Sequence, residues 1–597
     1  MAFFSWQFIC FLIVAVTVYY LIPGRFQWIV LLISSAWYYF VGGGPRAAIF
    51  VAVTVVTTWG GACLMDSIQK KEELKALEAA AHSSPSEEGD SGPSAGKPVK
   101  LSRAQKKELK ALVQKKKRLV LTLVLLLNFG ILGVLKYGSF VSTNLNSLFA
   151  RFHSGTQIPV VDFILPLGIS FYTFQSMGYL IDVCRGKYRA ERNLFRLALF
   201  TSYFPSILQG PINRYDELAS QLYTPHRFDD RRFREGILRM LWGFFKKMVI
   251  AERASVIVNE VFGGFEQHRY AGFTILVAAF FYGIQLYADF AGGIDIVAGA
   301  SELFGVSIRE NFRQPYMSRS ISEFWQRWHM SLGNWMRDYV FYPIALSKPF
   351  ARMQKSLRKK IGPYFGKVFP SFLASFIVFI LVGIWHGANW KYVVYGIYHA
   401  TFVSTETLFE KPYADLRRFF HIRDEAAGWK LFQMVRTLFI VSIGRYCDVA
   451  PDAGTVFRLL RATFSRFNPW ILFDGSLFTF GIDERNFGLL ILLIILVAAV
   501  DIINERGQTV RGIVASQQLP FRWAVYLTAI AVILVFGMYG PGFDMASFIY
   551  AQFSTDVAGH PLTGNRAFSK FEIFKVRNFQ SSKFSEFENR KDALFAS

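Results

Sequence analysis

The chain has 597 residues, of which 52% are hydrophobic and 17% aromatic, and its formal net charge at pH 7 is +23. Soluble domains reach nearly the same apolar fraction, so the arrangement of the apolar residues decides the class of protein. The excess Lys and Arg lie on no soluble domain with a nucleic-acid-binding motif, and basic loops between membrane spans account for them. We therefore expect no nucleic-acid partner.

Three apolar stretches, near residues 3–22, 26–41 and 47–65, open the chain. Crossing about 30 Å of hydrocarbon takes roughly 20 apolar residues. The first stretch has no positively charged leader and no small-residue cleavage site, so we expect it to be retained as a span. Nearly uncharged stretches recur at 119–135, 487–500 and 522–539. The sequence therefore predicts a multi-pass protein of the lipid bilayer.

Residues 66–118 interrupt this apolar pattern. The segment opens with KKEELKALEAAA, passes through a Ser/Gly/Pro-rich acidic stretch and ends in KKELKALVQKKKR. This composition predicts two short helices around a flexible linker. The flanking Lys and Arg indicate a cytoplasmic position, with the N-terminus on the outer side. A solvated segment without a function of its own is the simpler interpretation.

Between residues 137 and 270 the apolar pieces are short and interrupted by Pro and Gly, as in 165–181 and 197–212. Interrupted backbone is tolerated at membrane depth only where protein or a wet cavity surrounds it. These pieces are therefore predicted to be re-entrant or cavity-lining. The basic segments 185–196 and 226–248 are predicted to be cytoplasmic interfacial helices.

Residues 321–343 (ISEFWQRWHMSLGNWMRDYVFYP) have helical periodicity. Their large apolar side chains lie at offsets 0, 3, 4, 7, 11, 14, 15 and 18, which predicts one amphipathic helix at the membrane interface. His329, at offset 8, falls on the apolar face beside the tryptophans. Two interpretations stay open for it: a structural ring bonded to a carbonyl, or a functional histidine.

A second histidine follows an uncharged run long enough to be a span. His386 lies between residues 371–385 and Gly387, and a titratable ring at membrane depth costs free energy unless a partner or a function offsets it. Glycine after an apolar run marks a helix end, where exposed carbonyls could fix one imidazole tautomer. A neutral imidazole there could act as a general base. His399 need not point the same way and is interpreted as structural.

No metal site is expected. The chain has neither an H-E-x-x-H zinc motif nor a G-x-x-x-x-G-K-[ST] phosphate loop. Its four cysteines are far apart and lack the spacing of metal ligands or of a disulfide framework. They are Cys10, Cys63, Cys184 and Cys447.

Two long segments resemble a known family. FWQRWHMSLGNWMRDYVFYPI (324–344) and VGIWHGANWKYVVYGIYHA (382–400) resemble the membrane-bound O-acyltransferase family, in particular its bacterial alginate and peptidoglycan O-acetyltransferases and teichoic-acid D-alanyl transfer proteins. Supporting segments are 166–187, 204–215, 287–316 and 547–553. The resemblance covers most of residues 1–553. It departs from the family at the insert and at Gly293, where relatives carry a larger residue.

The resemblance implies an all-α bundle of about eleven spans, with re-entrant and interfacial helices, around a central funnel. The family's invariant histidine falls on His386 and its second functional histidine on His329. His386 is then expected to take the proton of an acceptor hydroxyl while that hydroxyl attacks a thioester, with His329 assisting; a covalent acyl-histidine stays open. Candidates for lining or supporting the site are Trp385, Asn334, Asp289 and Trp328, and Asp289 could equally be a structural carboxylate.

The implied activity is O-acyl transfer, with acetyl favoured. The donor would be a cytoplasmic acyl thioester, acetyl-CoA or an acyl carrier protein, with no permanently bound cofactor. The acceptor would be an exported cell-surface polysaccharide, and the partner a membrane-anchored extracytoplasmic acyltransferase. Alternatives are D-alanyl transfer to teichoic acid, a proton-coupled transporter, for which repeated halves and several intramembrane carboxylates are expected, and a polyprenyl-linked glycosyltransferase.

The predicted organisation has four parts in the cytoplasmic membrane. They are N-terminal transmembrane helices (1–65), a charged flexible insert (66–118), a catalytic core (119–553) and a polar basic tail that is disordered or lies on the membrane surface (554–597).

Overall fold

The computed structural model describes residues 3, 5–82, 101–153, 156–161, 163, 165–268 and 270–538. Within these ranges the chain forms helices joined by loops, with no β-strand. An isolated antiparallel bridge joins Phe312 to Trp328. The prediction of an all-α membrane protein is confirmed. The predicted tail, 554–597, and the supporting segment 547–553 lie outside the described residues.

The N-terminal part consists of three helices. They are α1 (Trp6–Leu21), α2 (Gln27–His82) and α3 (Arg103–Arg151). α2 leaves helical geometry at Gly44, where φ is 71°, directly before Pro45. Glycine adopts this φ without a steric penalty, and proline lacks the amide hydrogen that would continue the helix. The turn separates the two apolar segments predicted at 26–41 and 47–65.

α2 and α3 continue beyond their apolar portions into the predicted insert. Lys116 Nζ lies 2.8 Å from Glu72 Oε1, and Lys117 Nζ donates to Gln69 Oε1 at 2.5 Å. The predicted short helices are therefore extensions of the flanking spans, held together by side-chain pairs. The predicted linker between them includes 83–100, which lies outside the described residues.

Short helices follow. They are α4 (Ile169–Arg185), α5 (Leu194–Ser202), α6 (Phe204–Ile207) and α7 (Tyr215–Tyr223). Leu199, Phe200 and Phe204 are fully buried. Protein therefore surrounds the interrupted segment 197–212, as predicted for broken backbone at membrane depth.

The predicted helix at 185–196 is wrong for most of its length, because the chain runs as a loop from Gly186 to Asn193. The amide of Glu191 donates to the Tyr179 hydroxyl at 2.7 Å, and the amide of Asn193 donates to Glu191 Oε1 at 2.9 Å. These amides thus donate to side chains instead of to the backbone carbonyls of a helix. The Asn193 side chain then caps the N-terminus of α5.

The predicted basic helix at 226–248 is present but partly buried. The helices of this region are α8 (Asp230–Phe244), α9 (Glu252–Gly263), α10 (Phe265–His268) and α11 (Phe273–Glu302), with a π turn at Phe245–Ala251. Arg239 of α8 is 7% exposed and pairs with Asp295 at 3.0 Å, Glu302 at 2.9 Å and Glu310 at 2.7 Å. The basic face of α8 therefore binds α11 as well as facing the surface.

The prediction of one amphipathic helix over 321–343 is wrong. The segment forms α12 (Ile321–Arg327), α13 (Met330–Met336), a π turn (Arg337–Phe341) and α14 (Tyr342–Ala345). The break lies at Trp328, which is extended, and His329, which has φ 48°. Trp328 pairs with Phe312, and the Met330 amide donates to the Asn311 carbonyl at 3.0 Å. A neighbouring segment thus competes for the backbone hydrogen bonds of the helix.

The remaining helices are α15 (Lys348–Lys360), α16 (Pro363–His386), α17 (Trp390–Leu408), α18 (Glu410–Phe419), α19 (Ala427–Gly444), α20 (Tyr446–Val449), α21 (Ala453–Ser465), α22 (Glu484–Glu505), α23 (Val510–Ala515) and α24 (Leu519–Phe536). Among the described residues, six helices are long and apolar enough to cross a membrane, namely α2, α3, α11, α16, α22 and α24. α2 carries two predicted spans around Gly44, and α1 is apolar but shorter. The predicted number of about eleven stays a prediction.

Candidate functional site

His386 is the last residue of α16, as the following glycine predicted. Gly387 is extended, with φ −178°, and the side chain of Asn389 then accepts the Lys391 amide at 3.0 Å to begin α17. A Cβ on Gly387 would lie 2.3 Å from the ring of Tyr392. The tight connection therefore needs a residue without a side chain, and it leaves His386 buried, 8% exposed.

α16 and α17 cross at two glycines. A Cβ on Gly383 would lie 2.3 Å from the Tyr392 carbonyl oxygen, and one on Gly396 would lie 2.8 Å from the Phe379 carbonyl oxygen. Because the two backbones approach this closely, the His386 ring contacts tyrosines of α17. Its centroid lies 4.9 Å from that of Tyr395.

His329 lies in the break between α12 and α13 and is 3% exposed. Its Nδ1 lies 3.3 Å from Asn311 Oδ1, which also accepts the Ser331 amide at 3.0 Å. Since this oxygen is an acceptor, Nδ1 of a neutral His329 carries the hydrogen and Nε2 is the basic nitrogen. The ring of Phe290 packs against the imidazole at 4.9 Å. The φ of 48° is a costly conformation for a residue with a Cβ, which the neighbouring contacts hold in place.

Trp385 contacts both histidines. Its ring centroid is 5.9 Å from that of His329 and 5.1 Å from that of His386. The structure therefore brings together three residues that the sequence had predicted for one site. His399 is connected to this group through Tyr395. The Tyr395 ring centroid lies 4.6 Å from that of His399 and 4.9 Å from that of His386.

The other predicted residues lie around this group. Trp328 is buried and its ring faces the Arg445 guanidinium, 4.6 Å from the ring centroid. The backbone carbonyl of Asn334 accepts from Arg214 at 3.4 Å. Asp289 is 1% exposed and forms an ion pair with Lys247. The Asp289 contact favours the structural interpretation of this carboxylate.

Two residues of α3 reach the end of α16, and the sequence reasoning missed them. Lys136, 5% exposed, donates through Nζ to the Trp385 carbonyl, and the Tyr137 hydroxyl donates to the Ile384 carbonyl at 2.6 Å. A lysine directly after the apolar run 119–135 is the signal that would have revealed them, because a buried ammonium in a span needs a partner or a function.

A buried ion pair lies next to Trp328. Arg445, at the end of α19, pairs with Asp448 through Nη1 and Oδ2 at 3.3 Å, and both side chains are at most 4% exposed. Lys391 of α17 donates to the Ala450 carbonyl at 2.8 Å. These contacts join α17, α19 and α20 beside the histidines.

A cavity of about 750 Å³ opens near α4, α7 and the π turn after α13. Four cations and two carboxylates line it, together with Tyr339: they are Arg185, Lys187, Arg214, Arg309, Asp182 and Asp338. The bidentate Glu217 carboxylate raises the pKa of Arg309 above its ordinary value, so this cation stays charged at physiological pH.

A narrower pocket shares Asp182, Arg214 and Tyr339 with this cavity and extends to Phe174 and Trp335. The ring of Phe174 lies 4.4 Å from that of Trp335 and 6.3 Å from that of Trp385. Aromatic side chains thus connect the basic cavity to the group formed by His329, Trp385 and His386.

The cavity opens on the side of the predicted cytoplasmic insert. Arg185 ends α4 and Lys187 follows it, and in the same loop Arg192 lies 3.4 Å from Asp66, where α2 enters the insert. Phe174 is eleven residues before Arg185 on α4. At 1.5 Å per residue, the aromatic contact with Trp385 is about 16 Å deeper than the cavity mouth.

Comparison with known proteins identifies relatives of the region that contains both histidines. Residues 189–443 match the model of the membrane-bound O-acyltransferase family. The chain is 33% identical over 359 residues to the probable alginate O-acetylase AlgI of Azotobacter vinelandii, covering 59% of this chain and 64% of that protein. It is 30% identical over 262 residues to the teichoic acid D-alanyltransferase of Bacillus subtilis, covering 43% and 63%.

A peptidoglycan O-acetyltransferase of Helicobacter pylori is 28% identical over 332 residues, covering 51% of this chain and 58% of that protein. The matched region thus spans about three fifths of the length of these relatives. The predicted resemblance is confirmed.

Proposed function

We propose that this chain, whose residues 189–443 match the model of the membrane-bound O-acyltransferase family, is a member of that family and transfers an acyl group from a cytoplasmic thioester to hydroxyls of an exported cell-surface polysaccharide. The names of its relatives support acyl transfer, because they are O-acetylating or D-alanylating proteins. The long apolar helices support a multi-pass membrane protein, and the cytoplasmic membrane is the proposed location.

The observation that carries the proposal is the group of His329, Trp385 and His386. Both imidazoles are buried and contact the same indole, and each lies at a break in helical backbone. A buried imidazole next to a hydroxyl can act as general base, typically contributing about 10²–10⁴-fold to the rate. Interrupted backbone at such depth is tolerated only where protein or a wet cavity surrounds it.

The proposed reaction is a direct transfer. His386 takes the proton of the acceptor hydroxyl, whose oxygen forms a bond to the thioester carbonyl carbon. The carbon–sulfur bond then breaks, and the departing thiolate takes the proton from His386, so that an ester and a free thiol result. His329, oriented by Asn311, is proposed to polarise the thioester carbonyl or to orient His386.

The basic cavity supports a donor that carries phosphate. Coenzyme A and the prosthetic arm of acyl carrier proteins both contain phosphate groups, which guanidinium and ammonium groups bind by charge-assisted hydrogen bonds. Arg185, Lys187, Arg214 and Arg309 surround the cavity. The narrower pocket beside it includes the rings of Phe174 and Trp335 together with polar side chains such as Arg214, and Phe174 also contacts Trp385.

Acetyl is the proposed acyl group, and D-alanyl is the second candidate. The relatives named as alginate O-acetylases are 33–37% identical to the chain, and those named as D-alanyltransferases are 30% identical. The proposal includes a membrane-anchored extracytoplasmic acyltransferase as the partner that completes the modification outside. No resident cofactor is part of the proposed reaction.

A proton-coupled transporter is the alternative of a different class. Three buried carboxylates on spanning helices each pair with a neighbour. The pairs are Asp289 with Lys247, Asp295 with Arg239 and Lys246, and Asp501 with the Tyr287 hydroxyl. Paired carboxylates fit a structural role better than a proton pathway.

The test uses the purified protein in lipid nanodiscs with radiolabelled acetyl-CoA, acetyl carrier protein or D-alanyl carrier protein and a polysaccharide acceptor. Transfer from one donor is expected, with loss of about 10²-fold or more in His386→Ala. The exposed His268 gives the control variant His268→Ala, and size-exclusion profiles check folding. Equal transfer by wild type and His386→Ala would reject the catalytic assignment, and proton-coupled uptake into vesicles without acyl transfer would favour the transporter.

A further inference from the structure

The last turn of α16 is held from outside by two consecutive residues of α3. Lys136 Nζ donates to the carbonyl of Trp385, and the Tyr137 hydroxyl donates to the carbonyl of Ile384 at 2.6 Å. The next residue after these two carbonyls is His386. The two hydrogen bonds therefore act on the peptide units that carry the imidazole.

These carbonyls are ones that a helix cannot satisfy by itself. The last four carbonyl groups of an α-helix have no intrahelical partner, and together they give the helix end a partial negative charge. Gly387 leaves the helical path at once and is extended, so no following helical amide is available to them. An ammonium group and a hydroxyl from another helix complete the turn.

A lysine is an unusual residue to complete the last turn of α16, because it must be buried there. Lys136 is 5% exposed and lies on a helix that is apolar enough to span the membrane, where an ionisable side chain is unfavourable without a partner. Such a lysine needs a partner, which here is the Trp385 carbonyl at the end of α16.

The Lys136 Nζ also lies beside the Trp385 ring. It is 5.6 Å from the centroid of that ring, which packs 5.1 Å from the His386 ring. One side chain thus binds the backbone next to His386 and contacts the indole that packs against the imidazole.

We propose that Lys136 and Tyr137 are positioning residues for the reaction, which hold Trp385 and His386 in the geometry that proton transfer needs. This inference rests on the proposed acyl transfer. Neither side chain is assigned a bond-making role. Each side chain supplies a hydrogen bond to a carbonyl in the last turn of α16.

The experiment compares Lys136→Met, Lys136→Arg and Tyr137→Phe with two matched controls. Lys117 is another buried lysine of α3, which donates to Gln69, and Tyr39 is a buried tyrosine that donates to the Leu167 carbonyl at 2.8 Å. Lys117→Met and Tyr39→Phe therefore remove the same groups away from α16.

Lys136→Met is expected to lower kcat about 100-fold, because small misplacements of a catalytic group cost rate of this order, with KM for the donor unchanged. Lys136→Arg is expected to restore part of kcat, since it retains the charge and the donor. Tyr137→Phe is expected to lower kcat about 2- to 10-fold, as for one neutral hydrogen bond. The control variants should keep the wild-type kcat.

A second measurement does not depend on acyl transfer. Diethyl pyrocarbonate modifies imidazoles, and peptide mass spectrometry gives its rate at His386. Loosening the turn should make the His386 ring more accessible and so increase this rate in Lys136→Met relative to Lys117→Met. An unchanged rate together with an unchanged kcat would overturn the inference.

The two proposals fail in different ways. If the wild type transfers no acyl group but the His386 modification rate rises in Lys136→Met, the positioning role stands and the proposed function falls. If transfer requires His386 but Lys136→Arg, Lys136→Met and Tyr137→Phe all match the wild type, only the positioning role falls. If Lys136→Met does not fold, Tyr137→Phe and Lys136→Arg decide by the same criteria.

Discussion

Asn311 orients His329. The side-chain oxygen of Asn311 lies 3.3 Å from Nδ1 of His329 and also accepts the Ser331 amide at 3.0 Å. Asn311 is fully buried and lies in the segment that pairs with the break between α12 and α13. One side chain thus fixes both the imidazole and the backbone conformation next to it.

Asn311→Ala is therefore expected to lower kcat about 10- to 100-fold through misplacement of His329. Steady-state kinetics with the labelled donor measure this change. Asn128→Ala is the matched control, because Asn128 is equally buried and donates instead to the Thr57 hydroxyl at 3.0 Å. Similar losses in both variants would mean that general destabilisation, not the contact with His329, causes the effect.

Gly383→Ala should separate α16 from α17. The new Cβ would lie 2.3 Å from the Tyr392 carbonyl oxygen, and forcing extra atoms into a packed contact costs about 1–3 kcal/mol. We expect a lower thermal unfolding temperature in detergent and reduced acyl transfer. Gly133→Ala on α3, where a Cβ would meet nothing within 4 Å, should leave both unchanged, and equal effects in the two variants would contradict the prediction.

The double substitution Arg185→Gln with Lys187→Gln tests the basic cavity. Loss of charge-assisted contacts to phosphate should raise KM for a coenzyme A or carrier-protein donor about tenfold while kcat stays within about twofold. The effect should shrink as salt is added, because screening weakens the interaction in the wild type as well. Arg231→Gln removes an exposed arginine of α8 that pairs with Glu235 and is not expected to change KM.

Arg239→Met should destabilise the protein without touching the histidines. Removing this buried guanidinium leaves Asp295 and Glu302 with fewer partners, and breaking a buried charge network costs about 3–5 kcal/mol. Arg234→Met on the same helix removes a more exposed pair with Asp230 and should cost at most about 1 kcal/mol. Thermal unfolding of the two variants measures the difference, and similar values would show that the buried network contributes little.

Local patterns predicted part of the site and long-range contacts determined the rest. The helix end at His386 follows from Gly387, a neighbour in sequence. The break at His329 depends on Asn311 and Phe312, which lie in a separate segment, so a periodicity count over 321–343 had no means of detecting it.

The same reason explains the missed lysine. Lys136 is 249 positions from its partner Trp385 in the chain, and only folding brings the two together. The identity of a buried charge in an apolar run was visible in the sequence, whereas the atom that it binds was not. The predicted helix at 185–196 failed similarly, because the Tyr179 hydroxyl takes the Glu191 amide.

The paired extensions of α2 and α3 have a practical consequence for imaging. α2 continues to His82, about 24 Å past Asp66 at 1.5 Å per residue, and Lys116 and Glu72 fasten it to α3. A rigid soluble domain fused between residues 83 and 100 would be attached to two helices that are joined by side-chain contacts, outside the detergent belt. Such a fusion gives a small, mostly lipid-embedded particle the external landmark that single-particle alignment requires.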